Sequence, residues 1–218
     1  MSEPDWIREA LSMPRFAPYL AKTNGDLRAA IQLYWWNVGV SAAFYAPLHC
    51  LEMALRNAVH QQLAAKFGRA DWWEVAPLNK SGLRIVADTR SKLATRARAT
   101  TADDMVAELS FGFWVSFVSN TYHRTLWAPC LHKAFPFHRG LRGPLHSDLH
   151  TMLLFRNRIM HHEPIHHRHL EADHQTILRL LGYLSPAMVE QLKSYDQAEA
   201  VLRQRPGNSS SAVPGGAS

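Results

Sequence analysis

The stretch GDLRAAIQLYWWNVGVSAAFYAPLHCLEMALRNAVHQQLAAKFG, residues 25–68, decides the fold class. It has no strand-like alternation of apolar and polar residues. Its apolar residues recur instead at spacings of three and four, the repeat of an amphipathic helix. Leu48, Leu51, Leu55, Val59 and Leu63 form one such stripe. Asp26 stands where an N-cap acceptor belongs and Gly68 where a helix ends in the left-handed conformation. Pro47 has no N–H and clashes with the carbonyl four residues back, so the stretch reads as two helices in series, divided there.

The same punctuation continues outward. DWWEVAP (71–77) is a short connector whose tryptophans are expected on the core. Ser81 caps a third helix over about 82–98, rich in Arg84, Arg90, Lys92, Arg96 and Arg98. Thr101 and Asp104 have the spacing of a capping box, with Asp in place of Glu. ELSFGFWVSFVSN (108–120) is aromatic and expected to be buried, and a short helix over 122–135 is interrupted at Pro129. After the loop PFHRGLRGP, a helix over about 145–162 follows Pro144, a residue suited to a first turn. Helices over about 170–182 and 186–203 follow, the last opened by the cap pair Ser185-Pro186. Neither strands nor a solenoid repeat appear, so the expectation is an all-α chain. Residues 1–204 form one helical domain and 205–218 a disordered tail rich in Ser, Gly and Pro.

The bulk numbers narrow the function. Of 218 residues, 47% are apolar, enough for a real core. A net charge of +6 with histidine neutral, and a pI near 9.6, suit a polyanionic partner such as nucleic acid. Two cysteines, Cys50 and Cys130, make a disulfide framework improbable and fit a reducing cytoplasm. The opening MSEPDWIREAL has no apolar signal-peptide region. The apolar runs are broken by His, Asn or Arg, so no membrane association is expected.

LLFRNRIMHHEPIHHRH, residues 153–169, holds five of the thirteen histidines. Within it His162-Glu163-Pro164-Ile165-His166 matches the H-E-x-x-H pattern of zinc proteases. That chemistry needs both histidines on one continuous helix, and Pro164 between them opposes it. A looser set from His161, His162, His166, His167 and His169 lacks cysteines and carboxylates to support a metal. His166, His167 and His169 read as an exposed polar turn, and no metal is assigned.

A phosphate reading fits better. Asn157 and His161 lie one turn apart on a helix, with Arg156 beside them. Arg156 and His161 are separated by a rise of about 7.5 Å, within joint reach of one phosphodiester. Arginine offers a forked, permanently charged donor to phosphate oxygens, and histidine exchanges protons near neutral pH. RNA carries its own nucleophile, the 2′-OH, so cleavage needs a base, an acid and cationic stabilisation, and no metal or other cofactor. One Arg-Asn-His set supplies one proton carrier and one cation. A two-fold dimer would duplicate both; in a monomer His162 or His60 would be the second carrier. Glu52, Arg56 and His60 form a polar stripe on the earlier helix, where Glu52 would orient Arg56 or a basic residue of the later helix. Arg139, Arg142, Arg158 and the basic helix at 84–98 are candidates to follow an RNA backbone.

The residues RNRIMH resemble the R-x4–6-H motif of HEPN-domain ribonucleases. RFAPYL, GDLRAAIQLYWWN, LEMALRNAVHQQL, FGFWVSFV and FRNRIMHHEPI, in that order over roughly residues 12–190, resemble the Abi-like (abortive infection) branch of that superfamily. The resemblance implies a HEPN-like helical bundle with additional N- and C-terminal helices, usually a homodimer. It further implies metal-independent cleavage of RNA in phage defence, or a toxin with a possible antitoxin partner. By motif, Arg156 and His161 would be catalytic, Asn157 the adjacent polar residue, and Glu52 the acidic residue of an earlier helix. The rival expectation is a non-catalytic module of the same fold that binds RNA or nucleotide, or dimerises.

Overall fold

The computed structural model describes residues 5–95 and 100–207, and among them there is no β-strand. The chain is all-α. In order come α1 (Met13–Lys22), α2 (Leu27–Ala43), α3 (Tyr45–Phe67), α4 (Lys80–Ala94) and α5 (Ala102–Glu108). They are followed by α6 (Phe111–Ser116), α7 (Arg142–Met160), α8 (Leu170–Leu184), α9 (Pro186–Leu192) and α10 (Ala198–Arg203). Helix α3 is central and packs on α6, α8 and α9, while α7 lies against α6 and α8. Helices α1 and α10 pack on α2.

Local signals in the sequence explain most boundaries. The Asp26 carboxylate accepts the Ala29 N–H at 3.0 Å, and Gly68 ends α3 with φ +68°. Thr101 and Asp104 form the reciprocal capping box, and the Ser185 hydroxyl accepts the Met188 N–H ahead of Pro186. The stripe Leu48, Leu51, Leu55, Val59 and Leu63 is buried, as its spacing requires. Trp72 and Trp73 are both buried, and Trp72 meets Phe113, Trp114 and Phe117 in one aromatic cluster.

Several boundaries differ from expectation, each for a physical reason. The break between α2 and α3 falls at Phe44, and Pro47 sits in the first turn of α3, where its missing N–H costs no helical bond. Helix α4 is capped by Asn79, whose side chain accepts the Gly82 N–H at 2.8 Å, so Ser81 lies inside it. Residues 96–99, expected at its end, lie outside the described residues. The segment 122–135 winds through short π and 3-10 turns in place of a short helix. The helix expected over 186–203 is two, because Asp196 turns inward. Its carboxylate binds the His174 imidazole at 2.6 Å and caps the Ala198 N–H at 2.9 Å.

Arg205, assigned to the tail, is docked: it donates to the His166 carbonyl at 2.7 Å and lies over the Trp36 ring. The rest of the expected tail from residue 208 onward lies outside the described residues. Against expectation, the run Leu27–Phe67 is long and apolar enough, on those two criteria, to cross a membrane. Its buried positions, among them Leu33, Trp36, Val40, Leu51 and Leu55, form the seam of the bundle, as a core helix must.

Candidate active site

Helix α7 buries Leu145, Leu149, Met152, Phe155 and Ile159, and this stripe fixes which way its polar residues turn. Its end is a complete Schellman motif. The His162 N–H donates to the Ile159 carbonyl at 3.0 Å and the Glu163 N–H to the Arg158 carbonyl at 2.9 Å. His162 holds the left-handed position at φ +56°, where glycine is usual, at a cost on the order of 1 kcal/mol. Pro164 follows, as proline often does beyond such an ending. The helix therefore stops before the H-E-x-x-H segment, and His162 and His166 share no helix face. Among the described residues, no group of three or more His, Cys, Asp or Glu is placed to hold a metal ion.

Between α3 and α7, one carboxylate faces two guanidinium groups. Glu52 Oε2 lies 3.4 Å from Arg156 Nε, and Glu52 Oε1 lies 3.4 Å from Arg56 Nη2. The Glu52 and Arg56 side chains are each 13% exposed and that of Arg156 is 33% exposed, so Arg156 is the member that solvent reaches. Two cations on one anion leave positive charge over. Arg56 Nε, shielded and without a hydrogen-bond partner, leaves a donor unused. The trio opens on a cavity of about 310 Å³ that Tyr45, His49 and Met160 also line. Tyr45 and His49 stack at 5.9 Å between ring centroids. Chemically this is an anion-accepting cleft with an imidazole at its wall.

The fold brings Glu52, Arg56 and Arg156 together and leaves other candidates apart. His161 is exposed at the C-cap of α7, its N–H bonded to the Asn157 carbonyl at 2.9 Å, and it does not line this cavity. Asn157 is half-buried. His60 points the other way: its Nδ1 accepts the Trp72 indole N–H at 3.0 Å. Burial lowers its pKa, offset in part by Asp103. That corrects its place in the site. His162 is exposed and, with Glu163, lines a larger cavity of about 630 Å³ between α2 and α7, which meets the first at Tyr45 and Met160.

The expected backbone-tracking cations are mostly engaged. Arg158 Nε lies 3.3 Å from Glu163 Oε2. Arg142 donates to the Val118 carbonyl at 2.6 Å and to Asn120 Oδ1 at 3.1 Å, so it braces a loop. Arg139 donates to the Pro136 carbonyl at 2.7 Å but stays exposed. On α4, Arg84 pairs with Asp88, Arg90 with Glu74 and Lys92 with Glu108, which neutralises much of that face. Arg96 and Arg98 lie outside the described residues.

The histidine cluster is also corrected. His167 and His169 are exposed as expected, but His166 is 5% exposed and packs on Tyr19 at 5.1 Å. Neither of its ring nitrogens has a partner, and burial, helped by His167, Arg205 and Lys22, pushes its pKa down to about 4. It is held there by Asn37, whose Oδ1 accepts the Ile165 N–H at 2.8 Å and the His166 N–H at 3.1 Å.

Sequence reasoning missed His49 and Asn37. A signal existed for each: His49 lies one turn before Glu52 and extends the polar stripe of α3, and Asn37 interrupts the apolar run LYWWNVGV. No family model, no curated protein and no solved structure matches the chain.

Proposed function

We propose that the chain is a metal-independent endoribonuclease of the HEPN type, acting in phage defence or as a cytoplasmic toxin. The observation that carries this reading is the Glu52–Arg56–Arg156 cleft, with His161 free to solvent at the end of the same helix. Arg156 binds the scissile phosphate and, with Arg56, offsets the charge that grows on its oxygens. Glu52 positions both guanidinium groups. His161 moves the proton between the 2′-OH and the leaving oxygen, and Asn157 orients the attacking group. His49, inside the cleft, supplies the second proton carrier that cleavage requires, or a second copy of the chain supplies its own His161 across a two-fold axis.

The test is incubation of the purified chain with total RNA in excess EDTA. Fragments carrying 2′,3′-cyclic phosphate or 3′-phosphate ends are expected. Intact RNA under these conditions, together with no growth defect on overexpression, would remove the enzyme reading.

A second reading is a non-catalytic module that binds RNA or nucleotide. One observation favours it: within a single chain His161 does not line the cavity that holds Arg156. RNA that is retained but never cut, with retention lost in Arg156→Ala, would establish it in place of the first.

A further inference from the structure

We propose that the cavity at the start of α7, walled by Lys133, Arg139 and Arg142, is a separate anion site that takes a phosphate ester. The cavity is about 410 Å³, and His132 and His138 also line it. No carboxylate does. From Leu109 to Ser147 the chain has no Asp or Glu at all, so nothing nearby in sequence neutralises these cations. This separates the cavity from the α3–α7 cleft, where Glu52 takes up part of the charge. A concave surface lined by one sign of charge concentrates counter-ions.

The walls are built, not merely basic. Arg142 is locked by its bonds to Val118 and Asn120, which engage two of its nitrogens and leave further N–H donors in a fixed fork. Such a guanidinium loses little freedom when it binds an anion. Gly140 lets the loop close over the His138 ring: a Cβ there would meet His138 Cε1 at 3.0 Å. The His138 ring rests on Tyr183, and both of its nitrogens are shielded and unpartnered, so the protein leaves that donor and acceptor unused. Lys133 is exposed and ion-paired with nothing among the described residues, so its charge is available at the rim.

The position deepens the ribonuclease reading, on which the RNA form of the proposal rests. Arg142 and Arg156 lie about 21 Å apart along α7 and, at 100° per residue, within about 40° of the same flank. Leu149 lies buried between them on that face, so a strand held at the Arg156 cleft would reach this cavity with a backbone phosphate by passing over the helices packed there. The shared chemistry is a phosphate group; its source is an RNA backbone or a free phosphate ester.

Binding is measured by fluorescence anisotropy with a labelled 2′-O-methyl oligouridylate, which cannot be cleaved through a 2′-OH, and by thermal shift with inorganic pyrophosphate. Lys133→Gln/Arg139→Gln neutralises exposed cations at the cavity. Arg84→Gln/Arg90→Gln removes the same charge from α4.

The cavity pair is expected to weaken oligonucleotide binding about tenfold and to lower the slope of log affinity against log salt by about 1.4, while the α4 pair changes little. Pyrophosphate should stabilise the wild type and the α4 pair but not the cavity pair. If pyrophosphate behaves so and no oligonucleotide binds, the cavity stands with a free phosphate ester as its ligand, and the RNA reading falls. If both pairs weaken binding equally, or the cavity pair alters neither measurement, the proposal is overturned.

Discussion

Asn37 in α2 and Arg156 in α7 each interrupt an apolar helical run, and the fold handles them in opposite ways. Asn37 is buried, and its carbonyl oxygen accepts two backbone N–H groups from the segment after α7. Arg156 faces a cleft, shares one carboxylate with Arg56, and keeps a third of its side chain in contact with solvent. A polar residue whose hydrogen bonds are completed by the protein is structural: removing it orphans buried partners. A polar residue whose donors outnumber the acceptors around it has capacity left for a ligand. If the cleft acts on RNA as proposed, the α2 seam and the α3–α7 cleft separate stability from activity, and substitutions in each should move different observables.

The largest expected effect is on RNA cleavage. Arg156→Ala and His161→Ala should each lower kcat/KM by about 10²- to 10⁴-fold, the range for loss of a charge-stabilising or proton-transferring group. Stability should move by no more than about 0.5 kcal/mol for the exposed His161. His49→Ala separates the routes to a second proton carrier. A comparable loss places that role inside one chain. An unchanged rate, with activity falling more than in proportion when His161→Ala chains are mixed into the wild type, places it across a dimer. If His161→Ala cuts as fast as the wild type, the α7 end has no part in the chemistry.

Next is the seam itself. Asn37→Leu should leave the Ile165 and His166 N–H groups without an acceptor and cost on the order of 3 kcal/mol in urea unfolding. That is enough to depress the melting temperature visibly while oligonucleotide affinity below the transition stays near that of the wild type. A loss of affinity without loss of stability would reverse the assignment of the two regions.

His166 sharpens the same point through pH. Its pKa lies near 4 when folded, below the ordinary histidine value, so the unfolded chain binds its proton first as pH falls. The stability that the neutral ring contributes is full above about pH 6.5 and is lost progressively toward pH 4. Between pH 7 and pH 5 the wild type should lose about 2 kcal/mol more than His166→Phe, read from urea midpoints at each pH. Parallel losses in the two proteins would mean that this ring is not what acid attacks.

What the sequence discloses here follows the range of the interactions. Asp26, Gly68, Thr101 with Asp104, and Ser185-Pro186 mark helix ends through bonds spanning three to five residues, so a linear reading finds them. The Schellman ending of α7 is equally local, and Pro164 announces that the helix cannot continue to His166. Glu52 was legible as an acid facing a basic residue of the later helix, because the polar stripe on α3 and the Arg-Asn interruption in α7 each demand a partner. The bond from Ile165 to Asn37 spans 128 residues, that from Arg205 to His166 spans 39, and that from Arg142 to Val118 spans 24. Nothing in the local pattern of IHHRH says that its first histidine is buried and the next exposed. That follows only once α2 lies beneath it. The same limit hid the separation of His161 from the Arg156 cavity. The spacing on α7 is right for joint reach, but the helix ends at Met160, and five residues of helix turn through about 140°.

The smallest effect discriminates most finely. Glu52 lies 3.4 Å from both guanidinium groups, and in the proposed ribonuclease its role is to position them. Glu52→Gln keeps the shape and an acceptor oxygen but removes the charge that holds Arg56 and Arg156 together. Cleavage should fall only about tenfold, about 1.4 kcal/mol, and chiefly in kcat, because like-charged arginines then spread and meet the transition state less squarely. Ground-state binding of RNA should hold or tighten slightly, since a negative charge has left the cleft. Glu52→Asp, which restores the charge on a shorter arm, should recover part of the rate. A purely structural carboxylate would give a different pattern: lower stability in Glu52→Gln, an unchanged kcat per folded molecule, and no recovery specific to Asp. The sign of the change in RNA affinity distinguishes the two, because positioning predicts tighter or equal binding with slower turnover, and no loss of fold produces that pair.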